Sequence, residues 1–270
     1  MYKLIALDMD NTLLDSSKMI TSDNKTAINK ASEKGVKVVL ATGRFITGIS
    51  KYLKELNLDN KDNYCVTCNG AIVINAGTHE ILSKTLLEYD DLCYLYKLSK
   101  KLGVYVHALT PEKCIVPKYN EFSAIEISMN QVEFEEKSFS ELDPSVEIIK
   151  ILFVAPKEKI ASIMNTLPKE VYEKYTVMRS HDNFLEFLNK KINKGFGVEC
   201  LGEKLGIKKE EIICVGDAEN DLHMIEYAGL GVAMGNAFPD VKKAADYITY
   251  TNDESGVAHV INKFILKEED

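Results

Sequence analysis

The sequence predicts a doubly wound, parallel-sheet α/β core of Rossmann-like type carrying an inserted α+β domain. Three observations predict it. Over roughly the first 80 residues, short apolar runs ending in acidic or glycine-containing turns alternate with helical stretches. The same alternation returns over roughly the last 80 residues. The section between them, residues 83–188, breaks the pattern. The expected organisation is therefore a core of residues 1–82 and 189–270 around an inserted domain of residues 83–188.

Residues 3–7 form an apolar run that stops at Asp8, as a buried parallel strand does. Thr21, Ser22 and Asp23 offer helix caps before residues 25–34, and Gly35 ends that helix. A second strand is expected at 36–41, closing on Thr42, Gly43 and Arg44. A helix over 45–56 leads to a third strand at 64–67, and Asn69-Gly70 turns the chain into a hairpin-like extension at 71–74. In the C-terminal part, helices are expected at 194–205, 218–227, 240–245 and 256–266, with strands at 211–215, 231–233 and 247–249. In the insert, helices are expected at 89–102 and 157–167, and strands at 104–108, 114–117, 148–154 and 175–178. Residues 130–143 are acidic and polar and are expected to be an exposed loop.

Composition narrows the function classes. The 270 residues carry 33 Lys and Arg against 41 Asp and Glu, a net charge of −8, which disfavours nucleic-acid polymers and membrane surfaces as partners. No run approaches the roughly 18 apolar residues of a membrane helix. The N-terminal apolar run is too short for a secretion signal, and the six scattered cysteines fit reduced thiols, so a cytoplasmic protein, monomeric or weakly self-associating, is expected. Cys65 and Cys68 form a C-x-x-C, but on a strand residues three apart point to opposite faces and no second pair completes a zinc site.

Ligands of open α/β sheets bind beyond the carboxyl ends of the strands. There the sequence sets Asp8-Met9-Asp10-Asn11-Thr12, Thr42-Gly43-Arg44 and Gly216-Asp217-Ala218-Glu219-Asn220-Asp221, with Lys194 opening a helix. Clustered carboxylates repel unless a cation lies among them. Oxygen donors at few positions suit Mg²⁺, which completes its shell with water and substrate phosphate. A lysine, a hydroxyl and backbone N–H groups suit the remaining phosphoryl oxygens, so the chemistry implied is phosphoryl transfer.

Asp8-x-Asp10-x-Thr12, Thr42-Gly43-Arg44, Lys194 and Gly216-Asp217-x-x-Asn220-Asp221 resemble the four ordered motifs of the haloacid dehalogenase-like superfamily. Met224 and Asn69-Gly70-Ala71 resemble its Cof-type phosphatase branch, which carries a large α/β cap between the second and third motifs. The resemblance implies that Asp8 is the nucleophile and Asp10 the acid and base. It implies that Asp8, the Asp10 backbone carbonyl and Asp217 hold Mg²⁺, and that Met9, Thr42, Gly43, Lys194 and Asn220 hold phosphate. Asp221 would support Lys194 or the metal. The implied activity is hydrolysis of a small phosphorylated metabolite: a sugar phosphate, pyridoxal phosphate, or a nucleotide or flavin phosphate. A sugar phosphomutase and a non-catalytic phospho-regulatory binder are the alternative readings. Asn11 stands where the common motif has glycine, and asparagine tolerates left-handed backbone. Arg44 is expected to pair with a neighbouring acid. Arg179, His181 and Asn183 are candidates for reading the substrate.

Overall fold

The computed structural model describes residues 1–268. These fall into two compact units, Met1–Lys84 with the chain from Asn193 onward, and Thr85–Ile192 between them.

The first unit begins with β1 (Leu4–Leu7), α1 (Ser22–Glu33), β2 (Lys37–Ala41), α2 (Ile46–Glu55), β3 (Tyr64–Thr67), β4 (Ile72–Asn75) and β5 (Ile81–Lys84). The second holds α3 (Tyr89–Leu102), β6 (Tyr105–Leu109), β7 (Lys113–Val116), α4 (Ser123–Asn130), β8 (Glu133–Glu136), β9 (Lys150–Val154), α5 (Lys157–Thr166), α6 (Lys169–Lys174), β10 (Tyr175–His181) and β11 (Phe184–Asn189). The chain returns with α7 (Lys194–Leu205), β12 (Ile212–Gly216), α8 (Leu222–Tyr227), β13 (Leu230–Ala233), α9 (Pro239–Ala244), β14 (Tyr247–Ile248) and α10 (Gly256–Ile261).

The core sheet runs β14-β13-β12-β1-β2-β3-β4-β5. It is parallel from β14 to β3; β4 then runs antiparallel to β3, and β5 antiparallel to β4. All four residues of β1 are fully buried, which is why its sequence is continuously apolar rather than alternating. Val198 and Leu201 of α7 pack on Leu4, Val39 and Val66 of the sheet. Thr21 caps α1 by accepting from the Asn24 N–H, and Asn193 caps α7 by accepting from the Phe196 N–H at 2.9 Å.

The inserted unit is a mixed six-stranded sheet in the order β10-β11-β9-β6-β7-β8. Val106, Ile151, Phe153, Leu185 and Phe187 form its core with Leu92 and Leu95 of α3 and Ile160 and Ile163 of α5. One expectation is corrected here: residues 130–143 are not an exposed loop. They contain β8, which pairs parallel to β7 from Lys113↔Glu133 to Val116↔Glu136, and a turn that buries Phe139. With one apolar residue among four, β8 has too little alternation to read as a strand and is held by backbone pairing. The periodicity also missed β5, β11, α4 and α6. Among the described residues no helix is long and apolar enough to cross a membrane.

Candidate active site

Because β12, β1 and β2 are adjacent and parallel, their carboxyl ends bring three distant segments together. Asp8 follows β1, Thr42 follows β2 and Asp217 follows β12. The Asp8 N–H bonds the Val215 carbonyl and the Thr42 N–H bonds the Val66 carbonyl, so each loop leaves its strand in register.

Lys194, 1% exposed at the start of α7, donates to Asp8 Oδ1 at 2.5 Å and to Asp221 Oδ1 at 2.6 Å. The Asp217 and Ala218 N–H groups donate to the other Asp221 oxygen, both at 3.0 Å. Thr12 is fully buried and donates to Asp217 Oδ1 at 2.8 Å. Two glycines permit these approaches. A Cβ on Gly216 would lie 2.5 Å from the Asp221 carboxyl group. Gly70, at φ +98°, would set one 2.1 Å from the Asn193 carbonyl and push the α7 terminus, with Lys194, out of place.

The electrostatics follow from crowding. Burial, then the Asp221 charge, pushes Asp8 well above the ordinary carboxylate range against the pull of Lys194. Burial lifts Asp217 to about 6, although the Thr12 hydroxyl opposes it. Burial works against the Lys194 charge, but Asp221 and Asp8 outweigh it and hold the ammonium above the usual lysine range. Oxygens of Asp8, Asp217 and Asp221 lie within 4.8 Å of one another. Three buried carboxylates facing one ammonium form an all-oxygen donor set with excess negative charge, and that fits a hard divalent cation.

The phosphate-side candidates gather at the same edge. Thr42 is buried, its hydroxyl accepting from the Arg44 N–H at 3.1 Å. A Cβ on Gly43 would lie 3.0 Å from the Asn69 side chain, and Asn220 donates to Asn69 Oδ1 at 3.2 Å. Asn69 was not among the sequence-derived site residues. It is buried in left-handed backbone at φ 57°, and the sequence marks it through the Asn-Gly turn signal and the Asn69-Gly70-Ala71 likeness, neither of which assigns it a role. Met9 is fully buried, and its carbonyl accepts from the Leu14 N–H. Asn11 takes φ 63°.

Asp10 stands apart from the three clustered acids. Its carboxylate accepts from Arg44 Nη2 at 2.7 and 2.8 Å, from Arg44 Nε at 3.1 Å and from Lys18 Nζ at 3.1 Å. Burial raises its affinity for a proton, but Arg44 and then Lys18 outweigh this and hold it below the usual range. Arg44 thus pairs with an acid. In the inserted unit, Arg179 bonds Asp182, and Asn183 Nδ2 bonds the Ala155 carbonyl, so both brace the turn between β10 and β11. Cys65 is buried, which pushes its thiol up to about 12, and Cys68 lies in the turn after β3 rather than on the strand.

Buried acids, a lysine and a hydroxyl at the carboxyl edge of a parallel sheet, with a mixed-sheet insert, define a class of phosphoryl-transfer hydrolases. The chain belongs to the haloacid dehalogenase-like hydrolases: the family model matches residues 5–261. It is 42% identical over 268 residues to YxeH of Bacillus subtilis (strain 168), a phosphatase by name, covering 98% of this chain and 99% of that one. Among solved structures, a haloacid dehalogenase-like hydrolase from Bacteroides thetaiotaomicron superposes with a TM-score of 0.86 at 34% identity, covering 98% of this chain and 100% of that one. The subclass IIB sugar phosphatase BT4131 superposes at 0.78 with 28% identity, covering 97% and 98%. The protein is a phosphatase of subclass IIB, acting on small phosphorylated metabolites, and its inserted sheet is the cap of that subclass.

Proposed function

We propose that the protein hydrolyses small phosphate monoesters, sugar phosphates foremost, with Asp8 as the nucleophile and Asp10 as acid and base. The observation that carries this reading is the buried Asp8–Lys194–Asp221 chain beside Asp217. The preference for sugar phosphates rests on the likeness to BT4131.

Lys194 opposes the rise in proton affinity that burial and Asp221 impose on Asp8, and so favours the ionised, nucleophilic form. Asp221 fixes the ammonium from the other side. Asp8 would attack phosphorus and become an aspartyl phosphate. Asp10 would give its proton to the departing alkoxide, then take one from the water that hydrolyses the acyl phosphate. Thr42, the Gly43 and Met9 N–H groups, Lys194 and Asn220 would hold the non-reacting oxygens. Asp8, the Asp10 carbonyl and Asp217 would hold Mg²⁺, which when bound neutralises phosphoryl charge. Six cysteines, none of them in a disulfide, suit action in the reducing cytoplasm.

The test is phosphate release, with and without Mg²⁺, over a panel of sugar, pyridoxal, nucleotide and flavin phosphates. Trapping of a hydroxylamine-sensitive acyl phosphate on Asp8 is expected. Turnover of a good substrate by Asp8→Asn at the wild-type rate would end the reading.

A further inference from the structure

We propose that Arg44 is the positioning residue of Asp10, and that Lys18 and Tyr52 complete the clamp; this deepens the function proposed above and rests on it.

Asp10 occupies a loop whose next residue is in left-handed backbone, and its carboxylate is 41% exposed. Such a short side chain in water would turn among its rotamers. Here both oxygens are taken by Arg44 through three contacts of 2.7 to 3.1 Å, with Lys18 on Oδ1. A charge-assisted fork fixes both the direction and the plane of a carboxylate, which a point charge cannot do.

Arg44 is itself fixed. Its N–H donates to the Thr42 hydroxyl at 3.1 Å and its carbonyl accepts from the Cys68 N–H at 3.1 Å. Its guanidinium carbon lies 5.9 Å from the ring centroid of Tyr52, which is 3% exposed on α2. The Tyr52 hydroxyl reaches the Lys18 carbonyl at 3.5 Å, tying the loop that carries the second cation to the same helix. The clamp therefore joins the acid after β1 to the Thr42-Gly43 loop after β2. Lys18 and Tyr52 lie outside every motif read from the sequence. An exposed ion pair is worth little for stability, but this one is forked, doubled and only 22% exposed on the arginine side.

The test uses leaving-group dependence. An acid matters for a sugar alkoxide, which departs protonated, and little for 2,4-dinitrophenolate, which departs as the anion. We would measure kcat/KM for glucose 6-phosphate and 2,4-dinitrophenyl phosphate with Mg²⁺. Loss of a proton donor costs about 10²–10⁴-fold. Asp10→Asn is expected to lose about 100-fold on the sugar ester and under about threefold on the aryl ester. Arg44→Ala is expected to lose about 10- to 100-fold on the sugar ester alone, and to add under about twofold in an Asp10→Asn background. Arg44→Lys keeps the charge and lacks the fork; it is expected to lose about tenfold on the sugar ester alone. Equal losses on both esters, additivity with Asp10→Asn, or a wild-type ratio in both arginine variants would overturn the proposal. An Asp10→Asn variant without leaving-group dependence would instead sink the acid assignment, and the clamp with it. A wild-type enzyme releasing phosphate from neither ester would sink the phosphatase reading itself.

Discussion

Lys194→Met removes the single cation buried among the clustered acids at the head of α7. Met matches the volume of the stem, so the change is mainly one of charge. Lys194 lies 2.5 and 2.6 Å from its two carboxylate partners. At an effective dielectric of about 20, each contact is worth about 6.5 kcal/mol of gross attraction. Desolvating the ions cancels most of this, and breaking one partner from a buried ion pair leaves a cost of about 3–5 kcal/mol. That is the expected loss of unfolding free energy at pH 7, read from the urea midpoint with the denaturant slope held constant. The loss has a pH signature. Without Lys194 the folded carboxylates rise further above their unfolded values, so the folded state binds more protons than the unfolded one and stability falls as pH rises. Destabilisation is therefore expected to shrink toward pH 5, and Mg²⁺ is expected to restore part of it at pH 7. A midpoint equal to wild type, or a loss that does not change between pH 5 and pH 7, would refute the reasoning.

Three further outcomes are expected. Asp8→Asn keeps the fold by circular dichroism but shows background turnover and no acyl phosphate. Gly216→Ala sets a Cβ 2.5 Å from the Asp221 carboxyl group; it is expected to lose about 1–3 kcal/mol by urea unfolding and to lower kcat by displacing Asp221 from Lys194. In the cap, His107 is fully buried, accepts from Asn120 at Nε2 and leaves Nδ1 without a partner, and burial lowers it to about 4. Since the unfolded imidazole binds a proton near 6.5, this residue's contribution is intact above that pH and is lost as pH falls toward 4. The loss reaches about 3 kcal/mol. His107→Phe is expected to flatten the urea midpoint across that window; an unchanged slope would refute the assignment.

The core strands were legible because parallel strands buried on both faces leave continuous apolar runs, as β1 and β12 do. The strands at the margins were not. β8 is acidic and β5 half exposed, so backbone pairing with a neighbouring strand, rather than an apolar side-chain pattern, makes them strands. Of the site, the sequence displayed residue types and order but hid partners. Nothing local indicates that Asp221 receives two backbone N–H groups, that Asn69 stands against Gly43, or that Asp10 faces Arg44 across 34 residues.

By itself, the sequence determined that acids, a hydroxyl and a lysine lie at strand and helix ends, because periodicity and capping are local properties of the chain. Only the tertiary structure decided which of them meet. The strand order β12-β1-β2 sets Lys194 against Asp8 across 186 residues, and it brings Arg44 to the Asp10 carboxylate across 34. The physical reason is that a side chain's direction is settled by the charges and hydrogen-bond partners that folding brings to it, and the decisive ones here, Lys194 and Arg44, come from distant parts of the chain.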